Sequence, residues 1–279
     1  MWNPTMRNGP PPACRVCGGE TRHEFDAVVL RKYPSEGVYC DACGFLGLED
    51  ASWLDKAYDD AIAFSDTGLV RRNIELRDAM VPLLFHIFGS DGRFVDVGAG
   101  TGLLVRMMRD AGLDFYWSDA YCRNVHALGF EAKWDGARYS AITAIEVMEH
   151  VLHPVRFLSD VLTSSRASFL LFTTQVFEGE VPSSEDWWYY ALDEGQHVSF
   201  YQARTLNHIA RVLGLEYCAV GPLQVFFDGQ VAERLKSYRR RRWARAQAAR
   251  RAKRHLQPKT ESDRELLLAQ YSGRRTGDG

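Results

Sequence analysis

A glycine-rich turn at residues 96–102 carries the clearest signal for chemistry in this sequence. It reads Asp-Val-Gly-Ala-Gly-Thr-Gly and follows Phe94 and Val95, which suit a buried strand. An amphipathic run starts at Leu103, and Gly112 stands where a helix would stop. Glycine lets the chain turn tightly against a ligand, and the first N–H groups of a helix have no partner within it. The segment is therefore predicted to be a strand, a ligand-binding turn and a helix.

The spacing of these glycines separates the turn from two other nucleotide-binding motifs. A dinucleotide fingerprint, Gly-x-Gly-x-x-Gly, would need its third glycine where the chain has Leu103. A phosphate-binding P-loop would end in Gly-Lys-Ser/Thr, which is absent here. Asp119 follows the apolar run 115–117, about 20 residues beyond the turn. An acid at the end of a second strand can accept hydrogen bonds from both ribose hydroxyls, so a ribose-bearing cofactor is predicted.

The turn resembles the first motif of the class I S-adenosylmethionine-dependent methyltransferases, rather than a glycine-rich turn of an unrelated α/β protein. The resemblance implies an α/β fold with a Rossmann-like, seven-stranded sheet and helices on both faces. It also implies S-adenosylmethionine as cofactor. In this fold the loop before the fourth strand often meets the adenine, so Trp134 could stack on it and Asp135 could accept from its amino group. A solvated turn is the alternative for that loop. The other residues expected to bind the cofactor are Asp96, Gly98, Ala99, Gly100, Gly102, Asp119 and Ala120.

Two cysteine pairs near the N-terminus predict a structural zinc site. Cys14 and Cys17 form one Cys-x-x-Cys pair, Cys40 and Cys43 form the other, and a glycine follows each. Two thiolate pairs suit tetrahedral Zn²⁺, and the stretch between them can hold a short hairpin. Two disulfides are the alternative, disfavoured in a reducing compartment. The layout resembles that of the deoxysugar C-methyltransferases, which implies a sugar or glycan-linked acceptor.

A group of acids and a histidine follows the predicted fourth strand. Glu146, Glu149 and His150 are expected at the carboxyl edge of that strand, where ligands bind in open α/β sheets. The stretch resembles the Glu-x-x-Glu-His segment of ubiquinone-pathway O-methyltransferases. That resemblance implies a divalent cation, Mg²⁺, at these three positions. The alternative is that Glu146 shapes the cofactor pocket and His150 anchors the loop.

His197 is the first candidate for a catalytic base, because it follows the predicted fifth strand at the same sheet edge as His150. Neutral imidazole can remove a proton at physiological pH. His150 is the second candidate, and Glu149 belongs to the same catalytic group. A structural histidine is the alternative. The loop before His197, residues 178–196, carries four adjacent aromatic residues at 187–190 that either bind an acceptor or pack on the core. The stretch from 186 to 201 resembles uncharacterised bacterial class I methyltransferases.

The C-terminal part of the chain is strongly basic. Residues 234–254 hold 11 Lys or Arg and no acid, although the whole chain has a net charge of −2. Such a run binds nucleic acid, an anionic membrane or an acidic glycan, or it forms a solvated tail. No stretch is apolar enough to span a membrane, and no secretory signal is recognisable, so a cytoplasmic protein is expected.

Four segments are expected from these patterns: a zinc-binding module (1–50), a helical cover (51–90), a class I methyltransferase domain (91–230) and a basic helical tail (231–279). The predicted function is methyl transfer from S-adenosylmethionine to a small-molecule, sugar or glycan acceptor, on oxygen or carbon. One alternative is an RNA methyltransferase that uses the zinc module and basic tail, although the base-methylating tetrapeptide Asn/Asp-Pro-Pro-Tyr/Phe is missing. The other is a non-catalytic interaction module.

Overall fold

The computed structural model describes residues 12–57 and 66–276. Parts of the predicted zinc module (1–11), helical cover (58–65) and tail (277–279) lie outside these ranges. The strands are β1 (Arg22–Val29), β2 (Tyr33–Tyr39), β3 (Leu46–Leu48), β4 (Arg93–Val97), β5 (Asp114–Ser118), β6 (Ala141–Ala144), β7 (Phe169–Phe172), β8 (Ser199–Phe200), β9 (Glu216–Val220) and β10 (Leu223–Phe227). The α-helices are α1 (Leu54–Ala57), α2 (Leu69–Phe88), α3 (Leu103–Asp110), α4 (Pro154–Ser165), α5 (Ala203–Val212), α6 (Ala232–Arg240), α7 (Arg242–His255) and α8 (Thr260–Thr276).

The strands form two sheets. The smaller sheet has the order β1-β2-β3-β8, and the larger one has the order β5-β4-β6-β7-β10-β9. In the larger sheet β4 runs parallel to both β5 and β6, whereas β9 and β10 are antiparallel. Helix α3 connects β4 to β5 and α4 follows β6, whereas the connection from β5 to β6, described throughout, contains no helix. This mixed α/β architecture confirms the predicted Rossmann-like fold class.

The larger sheet has six strands where the resemblance implies seven. Beside β5, Trp117 forms an isolated parallel bridge with Glu131. Gly129 and Gly136, on either side of Glu131, both have left-handed backbone angles, with φ of 84° and 90°. Trp117 N donates to Phe130 O at 2.8 Å and Ala132 N donates to Trp117 O at 2.7 Å, which closes the bridge. The chain then turns: the Tyr139 hydroxyl accepts from Lys133 N at 3.0 Å and donates to Lys133 O at 3.2 Å, so the pairing stops at one bridge instead of a seventh strand.

The chain divides into two compact units. Among the described residues, the first comprises those within 1–65, 144–163 and 170–228, and the second comprises those within 66–143, 164–169 and 229–279. The first unit holds the smaller sheet, in which the antiparallel hairpin β1–β2 fills the stretch between the two cysteine pairs, as predicted. Its core is aromatic: Trp53, Tyr190 and Phe200 are fully buried, and the Trp53 indole N–H donates to the carbonyl of Gly195 at 2.8 Å.

The second unit packs its C-terminal helices against α2. Helix α7 contacts α2 and α6, and the ring of His255 stacks on Phe85 with centroids 6.2 Å apart. Helix α8 is tied to α3 by Asp263, which is buried and pairs with Arg109 at 2.7 Å and Arg106 at 2.9 Å. The basic stretch is therefore helical and packed within this unit. No helix in the described ranges has the length and apolarity that a membrane crossing requires.

Candidate functional site

The glycine turn of the second unit has the backbone that its sequence predicts. Gly98, Gly100 and Gly102 all have left-handed angles, with φ of 69°, 54° and 84°. Gly102 is the N-cap of α3, and its carbonyl accepts the first helical hydrogen bond from Arg106 N at 3.0 Å. The N–H groups before Arg106 in the helix, those of Leu103, Leu104 and Val105, have no intrahelical acceptor. Glycine adopts these angles without the steric cost that a Cβ adds.

Two glycines of this turn differ in what surrounds them. A Cβ on Gly102 would lie 3.0 Å from Asn124 Oδ1 and 3.1 Å from Ala127 Cβ. A Cβ on Gly100 would have no atom within 4 Å. Gly102 is thus needed for packing within the protein, whereas the space beside Gly100 is open. The backbone of the turn is thus as its sequence predicts, and the contacts of its residues with the cofactor stay predictions.

Replacing each glycine with alanine should separate these two roles. Gly102→Ala should lower the free energy of unfolding by about 2–4 kcal/mol, because it adds left-handed strain and a crowded methyl group. Gly100→Ala should cost only about 1–2 kcal/mol of strain. Its methyl group would instead crowd the cofactor and weaken S-adenosylmethionine binding about tenfold or more. Urea denaturation and calorimetry measure the two effects, and equal cofactor affinity in Gly100→Ala and wild type would contradict this assignment.

Asp119 braces the turn from the end of β5. Its Oδ2 accepts from Gly100 N at 2.8 Å, and its Oδ1 accepts from the N–H groups of Tyr121 and Cys122 at 2.7 Å each. A carboxylate has about four acceptor positions, so capacity remains for a ribose hydroxyl. Ala120, the next residue, is exposed. Asp119 thus has a structural role that the sequence did not reveal, beside its predicted role in binding.

Asp96 and the adenine-side candidates also belong to the second unit. Asp96 is 2 % exposed, and burial, opposed by a hydrogen bond from Thr143, raises its pKa to about 7. Trp134 is 38 % exposed with its ring centroid 5.8 Å from that of Tyr139. Asp135 is exposed in the adjoining turn. The roles of these residues and of Ala99 in cofactor binding stay predictions.

The four predicted zinc ligands come together in the first unit. The sulfur atoms of Cys14, Cys17, Cys40 and Cys43 all lie within 4.8 Å of one another. Cys14 Sγ is 3.6 Å from Cys43 Sγ, and Cys17 Sγ is 3.5 Å from Cys40 Sγ. A tetrahedral Zn²⁺ with Zn–S bonds of about 2.3 Å would space its sulfurs about 3.8 Å apart. All four cysteines are free thiols, so the cluster is compatible with Zn²⁺ rather than with two disulfides.

The two cysteine turns have matching backbone geometry. In the first, Gly18 N donates to Cys14 O at 2.8 Å, and in the second, Gly44 N donates to Cys40 O at 2.8 Å. Gly18 and Gly44 have φ of 72° and 78°. These left-handed glycines fold each pair back so that its two thiols point toward one centre. Such a closed four-sulfur site is structural, since it leaves no open coordination position for substrate.

A second cluster in the first unit joins the predicted catalytic residues. Ligand atoms of Glu149, His150 and His197 lie within 4.8 Å of one another, and the two imidazole rings are perpendicular with centroids 4.8 Å apart. His197 Nδ1 lies 2.7 Å from the carbonyl oxygen of Tyr189. A carbonyl only accepts, so Nδ1 carries the proton and Nε2 has the lone pair. His197 is therefore held in the tautomer that can take up a proton at Nε2.

Burial sets the charge of this cluster. Glu149 is 1 % exposed, its Oε2 has no hydrogen-bond partner in the described ranges, and burial raises its pKa to about 8. Burial and the neighbouring His197 lower the pKa of His150 to about 3, and burial also lowers the pKa of His197. Near neutral pH all three groups are therefore uncharged, and His197 is available as a base.

Glu146 lies outside the described cluster of Glu149, His150 and His197. Its backbone is left-handed, with φ of 55°. Thr173 braces it: Glu146 N donates to Thr173 Oγ1 at 2.8 Å, and the Thr173 hydroxyl donates to Glu146 Oε1 at 3.1 Å. The described cluster thus combines Glu149 and His150 with His197 rather than with Glu146. The Mg²⁺ site at Glu146, Glu149 and His150 stays a prediction, as does a cofactor contact of Glu146.

Tyr189 contacts His197 through both its carbonyl and its ring, a position that its place among four adjacent loop aromatics did not predict. Its ring lies 4.8 Å from that of His197, and its hydroxyl accepts from Gln175 N at 3.0 Å and lies 3.2 Å from Thr174 Oγ1. Three of the four aromatics pack in the protein, whereas Trp188 is 75 % exposed. The polar residues Thr173 and Thr174, directly after β7, were the available signal that this strand end is functional.

The raised pKa of Glu149 predicts a pH-dependent stability. In the unfolded chain this group ionises near its ordinary value of 4.5, and in the folded protein near 8. The contribution of neutral Glu149 is therefore complete below pH 4.5 and is lost as pH rises toward 8. Glu149→Gln should not show this loss. Between pH 5 and pH 9, the free energy of unfolding should therefore fall by about 2–4 kcal/mol more in wild type than in Glu149→Gln.

Urea denaturation at both pH values measures this effect, with exposed Glu180→Gln as the matched control. The other ionisable groups near Glu149, namely Glu146, Tyr189, His150 and His197, are present in all three proteins and cancel in the comparison. An equal pH dependence in wild type and Glu149→Gln would show that Glu149 ionises normally in the folded protein.

Comparison with known proteins agrees with the geometry of the turn. A family model described as a methyltransferase domain matches residues 70–220. No curated protein matches the chain. Magnesium protoporphyrin IX methyltransferase from Synechocystis PCC 6803 is 14 % identical at a TM-score of 0.40, over 62 % of this chain and 90 % of its own. A methyltransferase of calicheamicin biosynthesis is 17 % identical at a TM-score of 0.40, over 63 % of this chain and 61 % of its own. A SAM-dependent methyltransferase from Thermotoga maritima is 13 % identical at a TM-score of 0.39, over 62 % of this chain and 97 % of its own. Because the family model covers more than half of the chain, the protein belongs to the family of methyltransferase domains that its glycine turn predicts.

Proposed function

We propose that this S-adenosylmethionine-dependent methyltransferase methylates a hydroxyl or an acidic carbon of a small, sugar-like acceptor, with His197 removing the proton. The observation that carries this proposal is the fixed tautomer of His197. A half-buried imidazole with Nδ1 held by a carbonyl at 2.7 Å has Nε2 ready to accept a proton. Methyl transfer to oxygen or carbon needs such a base, because the acceptor must lose a proton.

The second unit supplies the residues that would hold the cofactor. Gly100 leaves the space for it, Asp119 retains acceptor capacity for its ribose, and Asp96 is a buried acid near the end of β4. S-adenosylmethionine would supply a methyl group bound to a sulfonium sulfur. When the methyl group is transferred, this sulfur leaves as a neutral thioether, which is a good leaving group. The protein therefore has to orient the acceptor and take its proton, rather than activate the donor.

The exposed ring of Trp188 supports a sugar or planar acceptor. It is 75 % exposed, and its centroid is 5.4 Å from that of Tyr189, which in turn lies 4.8 Å from the His197 ring. An aromatic face can stack on the apolar face of a sugar ring. Trp188 and His197 are thus linked through one aromatic neighbour, which supports an acceptor bound by stacking and deprotonated by imidazole.

Two measurements test this function. Calorimetry with S-adenosylmethionine and S-adenosylhomocysteine should give binding to wild type and a loss of about 100-fold or more in Asp119→Ala, which lacks the brace and the ribose acceptor. A labelled-methyl screen of sugar nucleotides, with RNA as a parallel substrate, should then give product from the small acceptors. Absence of cofactor binding would favour the non-catalytic alternative, and labelled RNA alone would favour an RNA methyltransferase.

A further inference from the structure

Helices α6 and α7 present a concentrated positive charge that the proposed methyl transfer does not use. All 11 Lys and Arg residues between positions 234 and 254 are exposed, and this stretch contains no acid. Three of these residues support the fold or pair locally. Arg234 donates to Ile87 O at 2.7 Å, Lys236 pairs with Glu233 at 2.9 Å, and Arg245 donates to Tyr238 O and Arg239 O at the end of α6.

The remaining eight cations form what we call the basic face: Arg239–Arg242, Arg250, Arg251, Lys253 and Arg254. Within the described part of the chain none of the eight forms an ion pair with a carboxylate. Eight like charges within 16 residues repel one another, and folding gains nothing from placing them together. Their concentration on the consecutive helices α6 and α7 therefore points to an anionic partner.

The packing of α7 determines which way this charge faces. Ala244, Ala248 and Ala252 recur every four residues and are buried, so they form the side that contacts α2. The opposite side of the helix carries Trp243 and Arg250, which are exposed. Trp243 is 57 % exposed, and the Arg241 guanidinium lies 5.4 Å above its ring. The basic face thus combines an array of guanidinium groups with one accessible aromatic ring.

We propose that the basic face binds the phosphate backbone of single-stranded nucleic acid, with Trp243 stacking on a base. Seven of the eight cations are arginine, whose planar fork binds phosphate through two hydrogen bonds. Arg242 and Arg250 are about 12 Å apart along the helix, enough to contact phosphates of several successive nucleotides. Base stacking on an exposed aromatic ring is the second component of sequence-independent single-strand binding.

The same packing disfavours a membrane as the partner. An amphipathic helix binds a bilayer by burying an apolar face among the lipids. The apolar side of α7 is the alanine stripe, which is already buried against α2. Trp243 alone remains on the outer side as a large apolar group. Binding here does not require that the nucleic acid accept the methyl group, so the inference is independent of the proposed function.

Fluorescence anisotropy with the full chain and a labelled single-stranded RNA of about 16 nucleotides tests this inference. One variant combines four substitutions on the basic face: Arg250→Gln, Arg251→Gln, Lys253→Gln and Arg254→Gln. It should bind the RNA about tenfold or more weakly, and the slope of log affinity against log salt should decrease in magnitude by about 3. Trp243→Ala should weaken binding about fivefold or more with an unchanged salt slope. The matched control neutralises four exposed cations elsewhere, Lys32, Arg138, Arg156 and Arg166, and should bind nearly as wild type.

Circular dichroism confirms that each variant is folded. The inference is overturned if wild type does not bind the RNA, if the control variant loses as much affinity as the basic-face variant, or if the salt slope does not change. It is also overturned if wild type binds vesicles with about 30 % phosphatidylserine but not RNA, because the partner would then be a membrane.

Discussion

Replacing His197 with alanine is expected to lower turnover by about 100-fold or more, while cofactor affinity stays near that of wild type. The imidazole is half-buried, desolvation lowers its pKa below the ordinary value, and the Tyr189 carbonyl fixes its Nδ1 proton. The imidazole is therefore neutral near physiological pH, and the lone pair on its Nε2 can accept the proton that the acceptor loses. Its removal takes away the base and leaves the glycine turn of the other unit intact.

Single-turnover kinetics with excess cofactor measure this loss, and calorimetry measures cofactor binding in the same variant. His153→Ala is the matched control, because His153 is exposed three residues after His150 and should be dispensable. Turnover of all three proteins in EDTA also tests the Mg²⁺ prediction, which requires a loss of activity in wild type. If His197→Ala lost only cofactor affinity and kept its rate constant, His197 would not be the base.

The parts of the site that could be predicted from the sequence are those that depend on local pattern. The turn from β4 into α3 follows from three glycines between an apolar run and an amphipathic one, and each adopts the left-handed angle that favours glycine. The cysteine pairs and the hairpin between them follow in the same way from residue spacing. In both segments the interactions that fix the backbone lie within a few residues of one another.

The parts that could not be predicted depend on contacts distant in sequence. His150 and His197 were expected at one sheet edge, but the tautomer of His197 depends on the carbonyl of Tyr189. Asp119 was expected to bind ribose, whereas its brace on Gly100 depends on how β5 ends beside the turn. The missing seventh strand has the same cause. The apolar residues around Glu131 allow a strand, but Glu131 pairs with Trp117 in a single bridge, and the backbone of Lys133 is then bonded by the Tyr139 hydroxyl instead of by β5.

Replacing Cys40 with serine is expected to remove the metal and to destabilise the first unit. Cys40 is fully buried beside Cys14, Cys17 and Cys43, and it directly follows β2, an inner strand of the smaller sheet. Apparent binding free energies of structural Zn²⁺ reach about 10–16 kcal/mol, and they add to the stability of the fold that contains the site. Serine is a much weaker zinc ligand than thiolate, so most of this stabilisation should be lost.

Elemental analysis of protein purified without chelator should find one zinc per chain in wild type and little zinc in Cys40→Ser. Cys122→Ser is the matched control, because Cys122 is a half-buried thiol outside the four-sulfur cluster and should leave the zinc content unchanged. Thermal unfolding followed through the tryptophans should show a lower transition in Cys40→Ser and in chelator-treated wild type, and restored stability when zinc is returned to the wild type alone. Zinc-free wild-type protein with an unchanged transition would mean that the four thiols pack without a metal, because a structural ion must contribute to the stability of the fold that it closes.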